Sequence, residues 1–144
     1  MAAPVLSVVV PVYNERESVR PLTEELLAVL RTLGRRVEVL FVDDGSTDDT
    51  KAVATRYADP RVRYVYQQNR GLAAARNTGI RESTGALLTF LDSDDLFLPG
   101  KVEVLLAAAR GAGVKGAYGL AWETHTQVRD RDRAEYDETM HATV

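Results

Sequence analysis

The sequence predicts an α/β fold, a mainly parallel sheet flanked by helices. Short β-branched apolar runs alternate with segments of helical period, and the crossovers between runs are long enough to hold a helix, so successive strands can run parallel. The 144-residue chain is 45% hydrophobic and 27% charged, the composition of one soluble globular domain rather than a disordered or fibrous chain.

Leu6-Ser7-Val8-Val9-Val10, ended by Pro11, suits a buried first strand near residues 6–11. Val19, Leu22, Leu26, Leu30 and Leu33 then recur at steps of three and four, one helical face, with Gly34 placed to stop the helix and Pro21 expected in its first turn. Residues 37–43 form the second strand. The turn after it, Asp43 to Thr50, supplies Ser46, Asp48 and Asp49 as cap candidates for a helix through Ala52, Val53 and Tyr57.

A short third strand follows at 62–66, then an alanine-rich helix at 71–81 and a fourth strand at 86–91. A last helix spans 99–109, with Pro99 favoured at its first position. Residues 116–120 could add a strand. Beyond Trp122 the periodicity fades, and residues 129–138 are almost all charged.

Composition excludes several classes. With no cysteine there is no thiol nucleophile, zinc ribbon or iron–sulfur cluster. A net charge of −3 gives no field that would draw nucleic acid. Residues 5–13 are too short for a membrane helix and follow no basic segment, so the chain reads as unexported and without a membrane segment. There is no Gly-x-x-x-x-Gly-Lys-Ser/Thr, no Gly-x-Gly-x-x-Gly after strand one and no Gly-x-Ser-x-Gly elbow. A phosphoacceptor receiver domain would need paired acids after strand one, where this chain has Tyr13-Asn14-Glu15.

In a parallel sheet the loops after strands one, two and four open on one edge, where α/β proteins bind ligands. Those loops carry Tyr13, Asn14 and Glu15, then Asp43 and Asp44, then Asp92, Asp94 and Asp95. Gathered carboxylates repel unless a cation or donor-rich ligand lies between them. Asp92, Asp94 and Asp95 exceed what a cap requires, and a divalent metal completed by phosphate oxygens explains them better. Arg76 admits two readings, a phosphate partner near a helix start and a surface arginine on an alanine face. Tyr13 is placed to stack on a base. His125 and His141 have no metal-site spacing.

Four blocks in order resemble the family 2 glycosyltransferases of GT-A-type, Rossmann-like fold. They are Val10-Pro11-Val12-Tyr13-Asn14-Glu15, Phe41 to Thr50, Asn69 and Gly71 with Ala75-Arg76-Asn77-Thr78-Gly79-Ile80, and Phe90-Leu91-Asp92-Ser93-Asp94-Asp95. The resemblance implies inverting transfer of a sugar from a nucleotide diphosphate donor, UDP favoured, to an acceptor hydroxyl. It implies nucleotide binding by Pro11, Tyr13, Glu15 and Asp44, with Asp44 facing the base. Asp92, Asp94 and Asp95 would serve ribose, diphosphate and a Mg²⁺ or Mn²⁺ ion, with Asp94 the first choice as ligand. A cytoplasmic location goes with that reading, at the membrane face if the natural protein continues.

Such domains continue for about another half-domain, where an acid deprotonates the acceptor. The expectation is therefore a truncated donor half: residues 1–121 as the nucleotide-sugar-binding domain and 122–144 as a polar tail or incomplete acceptor-side segment. No late acid is marked as the general base, so this chain alone is expected to transfer sugar slowly or not at all. The alternative is a non-catalytic nucleotide-sugar-binding or interaction module.

Overall fold

The structure, a computed structural model, describes residues 5–32, 36–95, 97 and 100–116. Its contacts divide the chain into two units, 1–96 and 97–144.

The first unit contains β1 (Leu6–Val12), α1 (Arg16–Thr32), β2 (Val37–Asp43), α2 (Thr50–Ala54), β3 (Val62–Tyr66), α3 (Leu72–Glu82) and β4 (Leu87–Phe90). The strands form one sheet in the order β3-β2-β1-β4, and every pairing is parallel. Leu6 pairs with Val37 on one side of β1 and with Leu87 on the other. β1 and β2 read as almost unbroken apolar runs because both of their faces are covered.

On one face, Val9, Leu40, Val42 and Ala75 of α3 make a fully buried cluster, edged by Val65, Leu88 and Phe90. Each large aliphatic side chain buried there contributes roughly 1.5–3 kcal/mol. Gly79 lets α3 lie this close, since a β-carbon on it would stand 2.3 Å from Cγ1 of Val9. Val8, Val10, Val39 and Phe41 point to the other face and are also buried. The β1-α1-β2 and β2-α2-β3 crossovers travel in one direction, whereas α3 returns the chain past β1 to β4. Right-handedness then places α1 and α2 on the face opposite α3.

Two local expectations are corrected. Pro21 lies in the sixth position of α1 rather than its first turn. The helix begins earlier because the Glu15 carbonyl accepts the N–H groups of Ser18 and Val19, at 3.0 and 2.9 Å. Pro21 is exposed, so its ring faces away from the core. The second helix ends at Ala54 and does not reach Tyr57. Instead the Tyr57 hydroxyl donates to the Glu24 carboxylate on α1 at 2.7 Å. The buried side of α1 comprises Val19, Leu22, Thr23 and Leu27. Val19 and Leu22 lie on the expected face, but Leu27 is buried in place of the expected Leu26, which is only partly covered; Leu33 and Gly34 lie outside the described residues.

At the lower end of the sheet Glu38 is 6% exposed. Its carboxylate accepts from the Ser7 hydroxyl, from the backbone N–H and hydroxyl of Thr84, and from Arg63 at 3.1 Å. Burial opposes charge on this group, but those donors outweigh it and hold its carboxyl down at about 2.

The second unit contains α4 (Lys101–Ala112), which continues three residues past its expected end. The Lys101 ammonium lies 4.5 Å from the centre of the Phe97 ring, and Val104 is exposed. Pro99, the strand expected at 116–120 beyond its first residue, and the polar tail lie outside the described residues.

Candidate functional site

The loops after β1, β2 and β4 open on the same edge of the sheet. With the start of α3 they line one cleft of about 390 Å³, bordered by Pro11, Val12, Tyr13, Glu15, Asp44, Asn69, Gly71, Leu72, Ala75, Asp92, Ser93 and Asp94. The chain leaves β1 toward β2 but adds β4 on the opposite side of β1. The cleft therefore sits at the point where strand order reverses, where loops diverge and leave room for a ligand.

The first two loops are laced together. Asn14 adopts a left-handed backbone, φ 54°, a conformation asparagine tolerates better than most residues. Its N–H donates to the Ser46 hydroxyl at 2.8 Å, and its side-chain oxygen accepts the Thr47 N–H at 2.8 Å. Next to it, the Glu15 N–H donates to the Thr50 hydroxyl at 2.9 Å. Tyr13 is thereby held at the rim with 49% of its surface exposed.

Ser46 thus ties two loops together and does not cap α2, contrary to its sequence reading. Asp49 occupies the cap position without a side-chain hydrogen bond. Asp48 does the capping work, accepting the Thr50 N–H at 2.9 Å and its hydroxyl. Burial opposes the Asp48 charge, but these donors together outweigh it and lower its pKa.

The expected repulsion among gathered acids is mostly relieved by the protein itself. Asp43 accepts the Ser46 N–H at 2.7 Å and the Tyr64 hydroxyl. Burial and that bond to Asp43 raise the pKa of Tyr64. Asp44, 5% exposed, accepts the Gln67 amide at 2.6 Å and the Arg70 N–H at 2.9 Å on Oδ1, and the Gly71 N–H at 2.7 Å on Oδ2. Burial works against its charge, but these donors prevail and lower its pKa. Gln67 was not singled out by sequence, because its role needs the fold to bring it to Asp44.

Arg76 meets Asp92, with its Nη2 at 3.0 and 3.1 Å from the two carboxylate oxygens. Its guanidinium also lies 5.7 Å from the Phe90 ring centre, and its Nε is buried with no hydrogen-bond partner among the described residues. Arg76 is therefore not an isolated surface residue, and because only its Nη2 meets Asp92 the rest of its guanidinium donors are not used by that pair.

Asp94 differs from Asp44 and Asp92. It is exposed, lines the cleft, and makes no hydrogen bond or ion pair among the described residues. The Asp95 N–H donates to the Asp92 carbonyl at 3.1 Å, closing the turn that presents Asp94. Among the described residues no three acidic or histidine side chains form a ready-made metal cage. The donor set still suits a hard divalent ion, which commonly takes one or two carboxylates and completes its shell with phosphate and water.

Residues 7–138 match the family model of Glycosyl transferase family 2. The chain is 42% identical over 102 residues to an uncharacterized glycosyltransferase of Rickettsia conorii, covering 70% of this chain and 16% of that one. It is 38% identical over 106 residues to the uncharacterized glycosyltransferase YibD of Escherichia coli, covering 72% and 30%. Among solved structures, S. aureus TarS superposes with a TM-score of 0.57 at 28% identity, over 74% of this chain and 32% of that one. The mannosyltransferase PcManGT of Pyrobaculum calidifontis, in complex with GDP-Man and Mn²⁺, gives 0.54 at 32% identity, over 71% and 31%. The chain spans less than a third of the length of each of these relatives.

Proposed function

The chain belongs to glycosyl transferase family 2, and from that premise we propose that it is the donor-binding part of an inverting transferase. The reaction moves a sugar from a nucleotide diphosphate, UDP favoured, to an acceptor hydroxyl. The observation that carries this reading is the meeting of the β1, β2 and β4 loops in one cleft at the strand-order reversal. The domain reading of residues 1–121 stays with it, as does a cytoplasmic location.

Each wall has work to do. Tyr13 offers an exposed ring on which a base can stack. Asp44, held ionised by its donors, accepts an N–H of the base. Pro11 and Glu15 border the same end. Asp92 is suited to ribose hydroxyls, and Arg76, already beside it, counters diphosphate charge. The start of α3 borders the cleft at Gly71 and Leu72, where the positive end of the helix favours phosphate, although the Gly71 N–H itself is taken by Asp44.

Asp94 would hold a Mg²⁺ or Mn²⁺ ion, with Asp92 and Asp95 beside it. Such an ion supplies charge neutralisation on the diphosphate leaving group. The PcManGT complex supports this assignment, since that protein carries Mn²⁺ with its nucleotide sugar.

The test is calorimetric titration of UDP into the 144-residue chain, with Mn²⁺ and with a chelator. Asp94→Asn keeps the shape but loses the charge, and should remove most of the metal dependence. Asp44→Ala should weaken UDP under both conditions. Equal binding of UDP by the unaltered chain with and without chelator would overturn the metal assignment.

A further inference from the structure

We propose that Gln67 determines which nucleobase the cleft accepts, by filling one oxygen of Asp44 so that the carboxylate keeps a single acceptor position for the base. The proposal rests on the nucleotide-binding reading above and adds the residue that enforces its preference for a uracil-type base.

A carboxylate has about four acceptor positions, two on each oxygen. On Asp44, Oδ1 receives both Gln67 Nε2 at 2.6 Å and the Arg70 N–H at 2.9 Å. Oδ2 receives the Gly71 N–H at 2.7 Å. One position remains, on Oδ2, and Asp44 borders the cleft. The protein has thus consumed the bidentate capacity that a free carboxylate would offer.

The orientation of the Gln67 amide follows from its neighbours. Gln67 is 9% exposed and Thr78 is 8% exposed, so neither has bulk water to satisfy it. An ionised Asp44 only accepts, so the NH₂ end of Gln67 must face it. The oxygen end then accepts the Thr78 hydroxyl. That hydroxyl has spent its proton on Gln67, and accepts in turn from Arg81 Nη2 at 2.8 Å. Every member has a complementary partner, and turning the amide over would set oxygen against carboxylate and NH₂ against the Thr78 proton.

Uracil and thymine present one N–H between two carbonyls, which matches the single position left on Oδ2. Guanine presents two adjacent donors, N1–H and N2–H, whose match is a carboxylate with both oxygens open. Here its second donor would meet an oxygen already filled by Gln67 and Arg70. A donor buried without an acceptor is disfavoured strongly, so discrimination comes from the rejected base as much as from the accepted one.

The experiment titrates UDP, dTDP and GDP, at fixed Mn²⁺, into the 144-residue chain and into Gln67→Met and Thr78→Val. Methionine fills the glutamine's space without donating, and valine keeps the threonine's shape without the hydroxyl. Circular dichroism and melting check the fold of each. The unaltered chain should bind UDP and dTDP about tenfold or more tighter than GDP. Gln67→Met should bring that ratio within about threefold, chiefly by improving GDP, and Thr78→Val should narrow it less. If Gln67→Met does not fold, the Thr78→Val ratio decides. A substitution that weakens all three nucleotides alike, leaving the ratio unchanged, would show that Gln67 only supports the fold and would overturn the proposal. So would an unaltered chain that binds GDP as well as UDP, and in both cases the donor-binding reading would stand. Failure of the unaltered chain to bind any of the three would overturn that reading and this proposal together.

Discussion

Acidification should expose the contribution of Glu38 more clearly than any other single change. Its carboxyl is held at about 2 against an ordinary 4.5, a difference equivalent to roughly 3 kcal/mol at about 1.36 kcal/mol per unit. The folded pKa is the lower one, so this stability is fully present above 4.5 and is lost as pH falls toward 2. Between pH 6 and pH 3 the loss from this group alone is about 2 kcal/mol. Other carboxylates, Asp44, Asp48 and Asp59, are lowered too, so the slope of the unaltered protein does not isolate Glu38. The comparison with Glu38→Gln does. Glutamine keeps the shape and its oxygen can still accept from Ser7 and Thr84, but its NH₂ cannot accept from Arg63 and the charge that strengthens every one of these bonds is gone. Urea unfolding followed by circular dichroism from pH 7 to pH 3 should find Glu38→Gln less stable at neutral pH. The gap should shrink by about 2 kcal/mol on acidification. A gap that stays constant with pH would refute the account, because it would mean that packing rather than charge makes Glu38 matter.

Two further perturbations test the architecture around the site. Gly79→Ala places a methyl 2.3 Å from a Val9 methyl carbon, and should cost about 1–3 kcal/mol despite alanine's better helix propensity. Adding Val9→Ala should then cost less than it does alone, a coupling that thermal or chemical unfolding reads directly and whose absence would count against close α3 packing. Asn14→Gly should be less damaging than Asn14→Ala by about 1 kcal/mol, because glycine accepts the left-handed backbone and both variants lose the Thr47 bond. Equal unfolding midpoints for those two variants would argue against strain at residue 14.

The strands were legible because β-branched residues in short runs have few other uses, and β1 through β4 fall within a residue of their expected bounds. The meeting of Asp44 and Asp94 in one cleft followed from parallel topology alone. What remained hidden depends on partners distant in sequence. Nothing near Ser46 says that its hydroxyl serves Asn14 rather than α2. Nothing near Pro21 says that Glu15 starts the helix early. The acids illustrate the same limit: in sequence they look equivalent, but Asp43, Asp44 and Asp92 are each met by protein donors, whereas Asp94 is left to the cleft.

The position of β1 between β2 and β4 has a consequence for how the chain folds as it is made. β1 and β2 can pair once one crossover has formed, but the other side of β1 waits for residues far along the chain, and the bond from the Gly85 N–H to the Ser7 hydroxyl spans 78 residues. Closing so long a loop slows folding more than it lowers final stability. Through that interval the second edge of Leu6 to Val9 is bare, and its apolar run is a template for pairing with another chain. On the ribosome this interval lasts for several seconds at ordinary elongation rates of about 5–20 residues per second. Fresh synthesis, rather than the finished protein, is therefore the stage at which this sheet is most exposed to aggregation.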